Sequence, residues 1–226
     1  MSVAERLEIV RARIHAGELA SGRAAGSVRL VAVSKRHPAA AIREAYAAGQ
    51  RDFGENYVQE LAAKVEELAD LSDIVWHLIG NIQSNKARVV VKLAHVVHTV
   101  DDVHIARELG RRATLAEKKL SVLIEVNAFG EAQKHGATPG DIAEVIAAVE
   151  AQPSLTLRGL MTVPPETDDP RVARSNFSTL RTLRNAHGGE AKLPELSMGM
   201  SADLESAIAE GATLVRIGTA IFGPRA

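Results

Sequence analysis

A possible chemistry begins at Lys35. It closes the apolar run Leu30-Val-Ala-Val-Ser-Lys35 and is followed by Arg36-His37-Pro38. Small and β-branched residues in an unbroken run predict a strand buried on both faces, with Pro38 setting the first turn of a helix. The lysine then stands at the carboxyl end of that strand, the edge where α/β folds bind ligands. An amine held against apolar walls loses its proton more readily, as Schiff-base formation with a carbonyl requires. From this stretch alone, a solvated loop lysine is the alternative. Two other stretches bear on the choice. Residues 197–201, Ser-Met-Gly-Met-Ser, lead toward a predicted helix start, and Gly218-Thr219 offers backbone with no side chain in the way. Backbone donors at such places bind phosphate, helped by a helix dipole worth about 0.3–1 kcal/mol per favourable charge. Each glycine segment taken singly reads as ordinary turn chemistry. Beside a Schiff-base lysine, the pair points to a phosphorylated aldehyde.

The elements that must position these groups alternate along the chain. Residues 2–20 predict an amphipathic helix, with Val3, Leu7, Val10, Ile14 and Leu19 at helical spacing and charged residues between. Strands are predicted at 28–34, 51–53, 74–79, 95–100, 121–127, 155–161, 193–196 and 213–217. Helices are predicted at 38–48, from the turn Gly54-Glu-Asn56 to about 70, and at 81–94, where Val89-Val-Val91 is unfavourable by propensity. Further helices follow at 101–110, capped by Asp101, and at 139–151, 170–187 and 203–210, with Asp203 as a cap. Short connections make every strand parallel and every crossover right-handed. Eight such units predict an α/β fold, a single (β/α)₈ TIM-barrel domain over residues 1–226. No helix is expected after the eighth strand. The N-terminal helix is expected to fill that vacancy, beside strands one and eight.

In a barrel the strand ends converge on one rim. They present Lys35, Asn56 with Tyr57, His77 with Asn81, His98, Asn127 with the loop 131–136, Met161-Thr162, residues 197–201, and Arg216 to Thr219. That set holds no hydrolase-like carboxylate pair and no nucleophile elbow. His95 and His98, an odd interval apart on a strand, face opposite ways, so no metal site is expected. His77 reads as a structural hydrogen-bonding residue or a ligand contact. Tyr46 reads as packing, and Arg111-Arg112 and Lys118-Lys119 as a solvated face.

Composition narrows the partners. A net charge of -1, from 27 basic and 28 acidic residues, argues against nucleic acid or an anionic membrane, and 3% aromatic residues leave few platforms for stacking bases. The absence of cysteine removes disulfides, thiolate metal sites and thiol nucleophiles, and fits a cytoplasmic location. Charges throughout the first twenty residues fit neither a signal peptide nor a membrane span.

Six motifs together resemble the pyridoxal phosphate homeostasis protein family, of YggS/PROSC type. They are Ala32-Val-Ser-Lys35; Phe53-Gly-Glu-Asn-Tyr-Val-Gln-Glu60; Trp76-His-Leu-Ile-Gly80 with Gln83-Ser-Asn-Lys86; Gly159-Leu-Met161; Leu196-Ser-Met-Gly-Met-Ser201; and Val215-Arg-Ile-Gly-Thr-Ala-Ile-Phe-Gly223. The resemblance implies a fold type III barrel, related to the N-terminal domain of alanine racemase, that holds pyridoxal 5'-phosphate as an internal aldimine on Lys35. It implies Ser201, Gly218 and Thr219 at the phosphate, Arg216 at the pyridine nitrogen and Asn56 near the ring, with Met200 among the cofactor-binding residues. Arg36-His37 and Asn81 depart from the residues usual in the family, at accessory rim positions.

An arginine at the pyridine nitrogen disfavours its protonation and weakens the ring as an electron sink. Two-base racemases of the related family take their second base from a tyrosine on an additional C-terminal domain, which a chain ending at 226 is not expected to carry. The reading is therefore a monomeric, non-catalytic carrier or regulator of pyridoxal phosphate, serving PLP-dependent apo-enzymes. A small racemase or decarboxylase using Lys35 and Tyr57 is the alternative, and a cofactor-free Schiff-base aldolase a more distant one. Lys134 reads as a second transient amine or as a solvated loop lysine.

Overall fold

The computed structural model describes residues 1–131 and 135–224. Strands β1 (Arg29–Val33), β2 (Asp52–Glu55), β3 (Val75–Leu78), β4 (Val96–Val100), β5 (Leu120–Glu125), β6 (Leu155–Met161), β7 (Glu195–Ser197) and β8 (Leu214–Ile217) pair in sequence order into a closed barrel. Closure is the parallel pairing of β1 with β8, from Arg29 opposite Leu214 to Ala32 opposite Ile217. No strand edge is left open.

Helix α1 (Val3–Ala20) starts with a reciprocal capping box between Ser2 and Glu5. Its stripe Val3, Leu7, Val10, Ile14 is buried as expected, but Leu19 is 61% exposed. The stripe continues instead through Gly17 and Glu18, and the Glu18 carboxylate accepts from the N–H groups of Gly26 and Val28 at 3.1 and 2.8 Å. It thereby steers the chain into β1. α1 lies in the predicted vacancy, against α2 (Ala39–Ala47), α9 (Leu204–Ala209) and α10 (Thr219–Phe222). Val3 N–H donates to Glu44, Arg6 to the Ile221 carbonyl, and Arg13 pairs with Glu205. The short α10 is a helix after β8 where none was expected.

Other boundaries shift for local reasons. β2 runs through Glu55, so Gly54 and Glu55 belong to the strand, and α3 (Val58–Glu67) starts later than predicted. A Cβ at Gly54 would stand 3.0 Å from Val31, which is why the strand interior takes a glycine there. The third crossover contracts to a 3₁₀ turn, Ser84–Lys86, and α4 (Ala87–Leu93). The three valines sit in α4 nonetheless, because Val90 and Val91 are buried and packing overrides propensity. Asp102, not Asp101, caps α5 (Val103–Leu115), accepting from Ile105 N–H at 2.7 Å. α6 (Ile142–Glu150), α7 (Pro170–Ala186) and α8 (Gly189–Lys192) complete the ring. Tyr46 is half-buried as packing requires, but its hydroxyl also donates to Asp73 and Arg51 lies 3.8 Å over its ring.

Alternation along the strands makes two interiors. The larger lies between strands and helices and is apolar, with Phe53, Leu61, Leu78, Leu109, Ile124 and Phe177 fully buried. The smaller fills the barrel and, among the described residues, is built on the apolar cluster Val31, Leu123, Met161 and Leu214, with Val96 against them. Buried His77, His98, Ser197 and Arg216 make up much of the remainder. Among the described residues no helix is long and apolar enough to cross a membrane.

Candidate functional site

Lys35 stands in a turn closed by the bond from His37 N–H to the Ser34 carbonyl, 3.0 Å. Arg36 takes a left-handed conformation, φ 61, which L-residues adopt at a cost of about 1–2 kcal/mol. Both neighbours of the lysine are tied down. Ser34 Oγ donates to Glu55 Oε1 at 2.6 Å, and Lys64 Nζ, buried in α3, donates to the Ser34 carbonyl at 2.7 Å and to Glu55 at 2.6 Å. Glu60 accepts from Arg36 N–H at 2.8 Å and from Lys64 at 3.2 Å. Burial pushes the Glu55 carboxyl up, against the lowering pull of its bonds to Lys64 and Ser34. The turn is thus gripped from below by a buried ion pair.

Above it lies a cavity of about 380 Å³ at the carboxyl ends of β1, β2, β7 and β8. Lys35, Asn56, Arg216, Met200-Ser201 and Gly218-Thr219 all line it, so the structure brings together the seven residues expected at a cofactor. Val33, Ile79 and Val163 add apolar wall, while Glu166 and Ala202 were not anticipated.

Arg216 is buried, donating from NH1 to Ser197 Oγ at 2.6 Å and from NH2 to the Thr162 carbonyl at 2.9 Å. Desolvation lowers its pKa to about 10, opposed by Glu125 and Asp203, so it stays cationic at neutral pH. Asn56 has a buried Oδ1 with no partner among the described residues. Its position depends on Gly80, where any Cβ would collide with the Asn56 carbonyl. The loop after β7 turns at Gly199, φ 94, whose carbonyl accepts from Arg216 N–H at 3.0 Å. A Cβ at Gly218 would press to 3.2 Å from the Val33 carbonyl. Asp203 occupies the cap position of α9 without making the cap bond; its Oδ1 accepts instead from Met200 N–H at 2.6 Å. That bond commits the Met200 N–H, and α9 starts only at Leu204, so the 197–201 side of the cradle is loop backbone, while Gly218-Thr219 begins the short α10.

Other expected rim groups lie elsewhere. His77 and His98 are inside the barrel, fully buried, 2.9 Å apart through Nδ1 and Nε2. His95 is exposed just before β4, its Nδ1 accepting from Trp76 N–H at 2.9 Å. Tyr57 lines a separate hollow with Gly80, Asn81 and Lys86, not the Lys35 cavity. Asn127 lines a third hollow with Thr99, Glu125 and His135. Lys134 lies outside the described residues. Among the described residues no cluster of three metal-ligating side chains occurs. Sequence reasoning missed Glu125, which continues the inward register of Ser121 and Leu123 on β5; burial, reinforced by Asp101, pushes its pKa up to about 7. It also missed Lys64, placed four residues after Glu60 on α3 and therefore on the same face.

A closed parallel barrel with an amine, a guanidinium and side-chain-free backbone around one rim cavity defines a ligand-holding barrel for an anionic carbonyl compound. The chain belongs to the family of the alanine racemase N-terminal domain, whose model matches residues 15–226. Within it, the chain belongs with the pyridoxal phosphate homeostasis proteins. The protein of that name from Pseudomonas aeruginosa is 48% identical over 225 residues, covering 99% of this chain and 96% of the relative. That from Escherichia coli is 43% identical over 230 residues, covering 99% and 97%. PipY of Synechococcus elongatus, solved with PLP bound, is 40% identical with a TM-score of 0.86, covering 98% of this chain and 100% of that one. An alanine racemase from Clostridium difficile, 14% identical with a TM-score of 0.68 over 88% of this chain and 52% of that one, shares the fold.

Proposed function

We propose that the chain binds pyridoxal 5'-phosphate in the Lys35 cavity and acts in its homeostasis, as a holder rather than a catalyst. The observation that carries the reading is the convergence of Lys35, Asn56, Arg216 and the two backbone segments on one cavity. A relative covering nearly the whole chain is described with PLP bound. The residues suit the group: an amine for the aldehyde, the Ser201 loop and the Gly218-Thr219 backbone at the start of α10 for the phosphate, Met200 as part of the wall, and a buried orphaned oxygen on Asn56 for a polar ring substituent. When bound, the group supplies an aldehyde carbon that condenses reversibly with a primary amine. Lys35 provides that amine. Arg216, a permanent donor, would offer its N–H groups to the ring nitrogen and so disfavour its protonation.

Tyr57, the residue a racemase reading would use as a second base, borders a different hollow, which favours the holder. Delivery to PLP-dependent apo-enzymes, a monomeric state and a cytoplasmic location complete the proposal. Incubation with pyridoxal phosphate is expected to give a visible absorbance band. Borohydride should then fix one adduct, found by peptide mass on Lys35, and Lys35→Ala should give neither signal. A wild-type protein that stays colourless sinks the reading, and amino-acid turnover lost in Lys35→Ala would move it to an enzyme.

A further inference from the structure

Four side chains connect Arg216 to the opposite end of the barrel through its interior. Arg216 NH1 is 2.6 Å from Ser197 Oγ, which is 2.9 Å from His98 Nδ1. His98 Nε2 is 2.9 Å from His77 Nδ1, and His77 Nε2 is 2.9 Å from Asp52 Oδ1. Asp52 opens β2 at the amino-terminal rim, four residues before Asn56, or about 13 Å along an extended chain. Ser197, His98 and His77 are fully buried, and none of them lines the cavity that Arg216 lines.

The two ends dictate the direction of every bond between them. A guanidinium only donates and a carboxylate only accepts, so with both imidazoles neutral each intervening group accepts once and donates once. A hydroxyl and two neutral imidazoles do this in one way. Arg216 donates to Ser197, Ser197 O–H to His98 Nδ1, His98 Nε2–H to His77 Nδ1, and His77 Nε2–H to Asp52. A proton added to His98 would strand the Ser197 hydroxyl hydrogen and place a second cation beside Arg216. Burial holds that ring well below its ordinary pKa, with His77, Arg216 and Arg29 acting in the same direction.

We infer that Asp52, His77, His98 and Ser197 form a positioning relay that aims the Arg216 guanidinium at the ligand ring. The inference rests on the pyridoxal phosphate reading of the cavity. It makes the barrel interior part of the ligand's environment, and it gives a carboxylate on the far rim a hold on the bound group.

The first test needs no ligand. Nitrogen-15 NMR of histidine-labelled protein is expected to show His77 and His98 as neutral Nε2–H tautomers. A neutral Nδ1–H form or a doubly protonated ring at either position overturns the relay. The second test uses the absorbance band and affinity of pyridoxal phosphate. Ser197→Ala and His98→Leu are expected to move the band and weaken binding about tenfold, the scale of one charge-assisted hydrogen bond. Asp52→Ala should move the band in the same direction with a smaller loss, and Ser197→Thr should restore the wild-type band. Wild-type spectra and affinities in both Ser197→Ala and Asp52→Ala overturn the relay while Lys35 trapping leaves the cofactor reading standing. Failure of Lys35 trapping in the wild type would sink that reading and still leave the tautomers to judge the chain. Should His98→Leu not fold, the Asp52 and Ser197 variants decide.

Discussion

At the amino-terminal end of the barrel Arg29 meets Glu195 at 2.8 Å and Asp52 at 3.7 Å, and Arg158 meets the same Glu195 at 3.0 Å. At the carboxyl end Arg216 is tied to neutral oxygens, and Asn56 Oδ1 has no partner among the described residues. The lower end also has a hollow, of about 480 Å³, larger than the one holding Lys35. Its cations are spoken for: Arg11 by Glu8 and the Ala48 carbonyl, Arg51 by Asp73, Arg29 by Glu195. Size therefore does not mark the site. What separates the two ends is polarity that the fold satisfies by itself and polarity that it leaves for a ligand.

Four substitutions test that contrast. Lys64→Ala would leave Glu55 buried without its cation under the Lys35 turn. It should cost about 3–5 kcal/mol in denaturant unfolding, with most of that regained when Glu55→Gln is combined with Lys64→Met. A double variant as unstable as the single would show that the grip on the turn is not electrostatic. Glu125→Gln should act the other way. The folded pKa of Glu125, about 7, is raised from 4.5, so the folded state holds the proton more tightly. Its contribution is full below pH 4.5 and is lost as pH rises through 7, by up to about 3 kcal/mol. The glutamine variant should therefore gain about 1–3 kcal/mol at pH 8 and flatten the slope between pH 5 and 8, as thermal melts over that range would show. Arg36→Gly relieves a left-handed residue at some entropic cost, for a net gain below about 1 kcal/mol. Arg158→Ala at the lower end leaves Glu195 its bond to Arg29, so a salt-sensitive loss of about 0.2–1 kcal/mol is expected. A larger loss there than at Lys64 would invert the comparison.

The barrel was legible because its strands are apolar runs set between helical stripes, and local periodicity suffices for that. The rim residues were legible because topology places every strand end at one edge, so Lys35 and Arg216, far apart in sequence, had to meet. The relay was not. His77 and His98 were assigned to strand ends, yet each sits at an inward position within its strand, and only the barrel's stagger brings them to 2.9 Å. Helix ends slipped for a similar reason. Asp102 rather than Asp101 makes the cap bond, and Asp203 serves the Met200 loop, choices decided by backbone geometry that residue type alone does not encode.

The helix that fills the gap beside β8 gives the chain a temporal order. α1 and β1 leave the ribosome long before their partners α9, β8 and α10. Until then the stripe Val3, Leu7, Val10, Ile14 has only α2 to pack against and lacks the cover of α9 and α10. Joining β1 to β8 spans the longest sequence separation of any strand pairing and so carries the largest loop-closure entropy among them. A chain that has not yet made α9 and α10 therefore leaves part of that face open to aggregation.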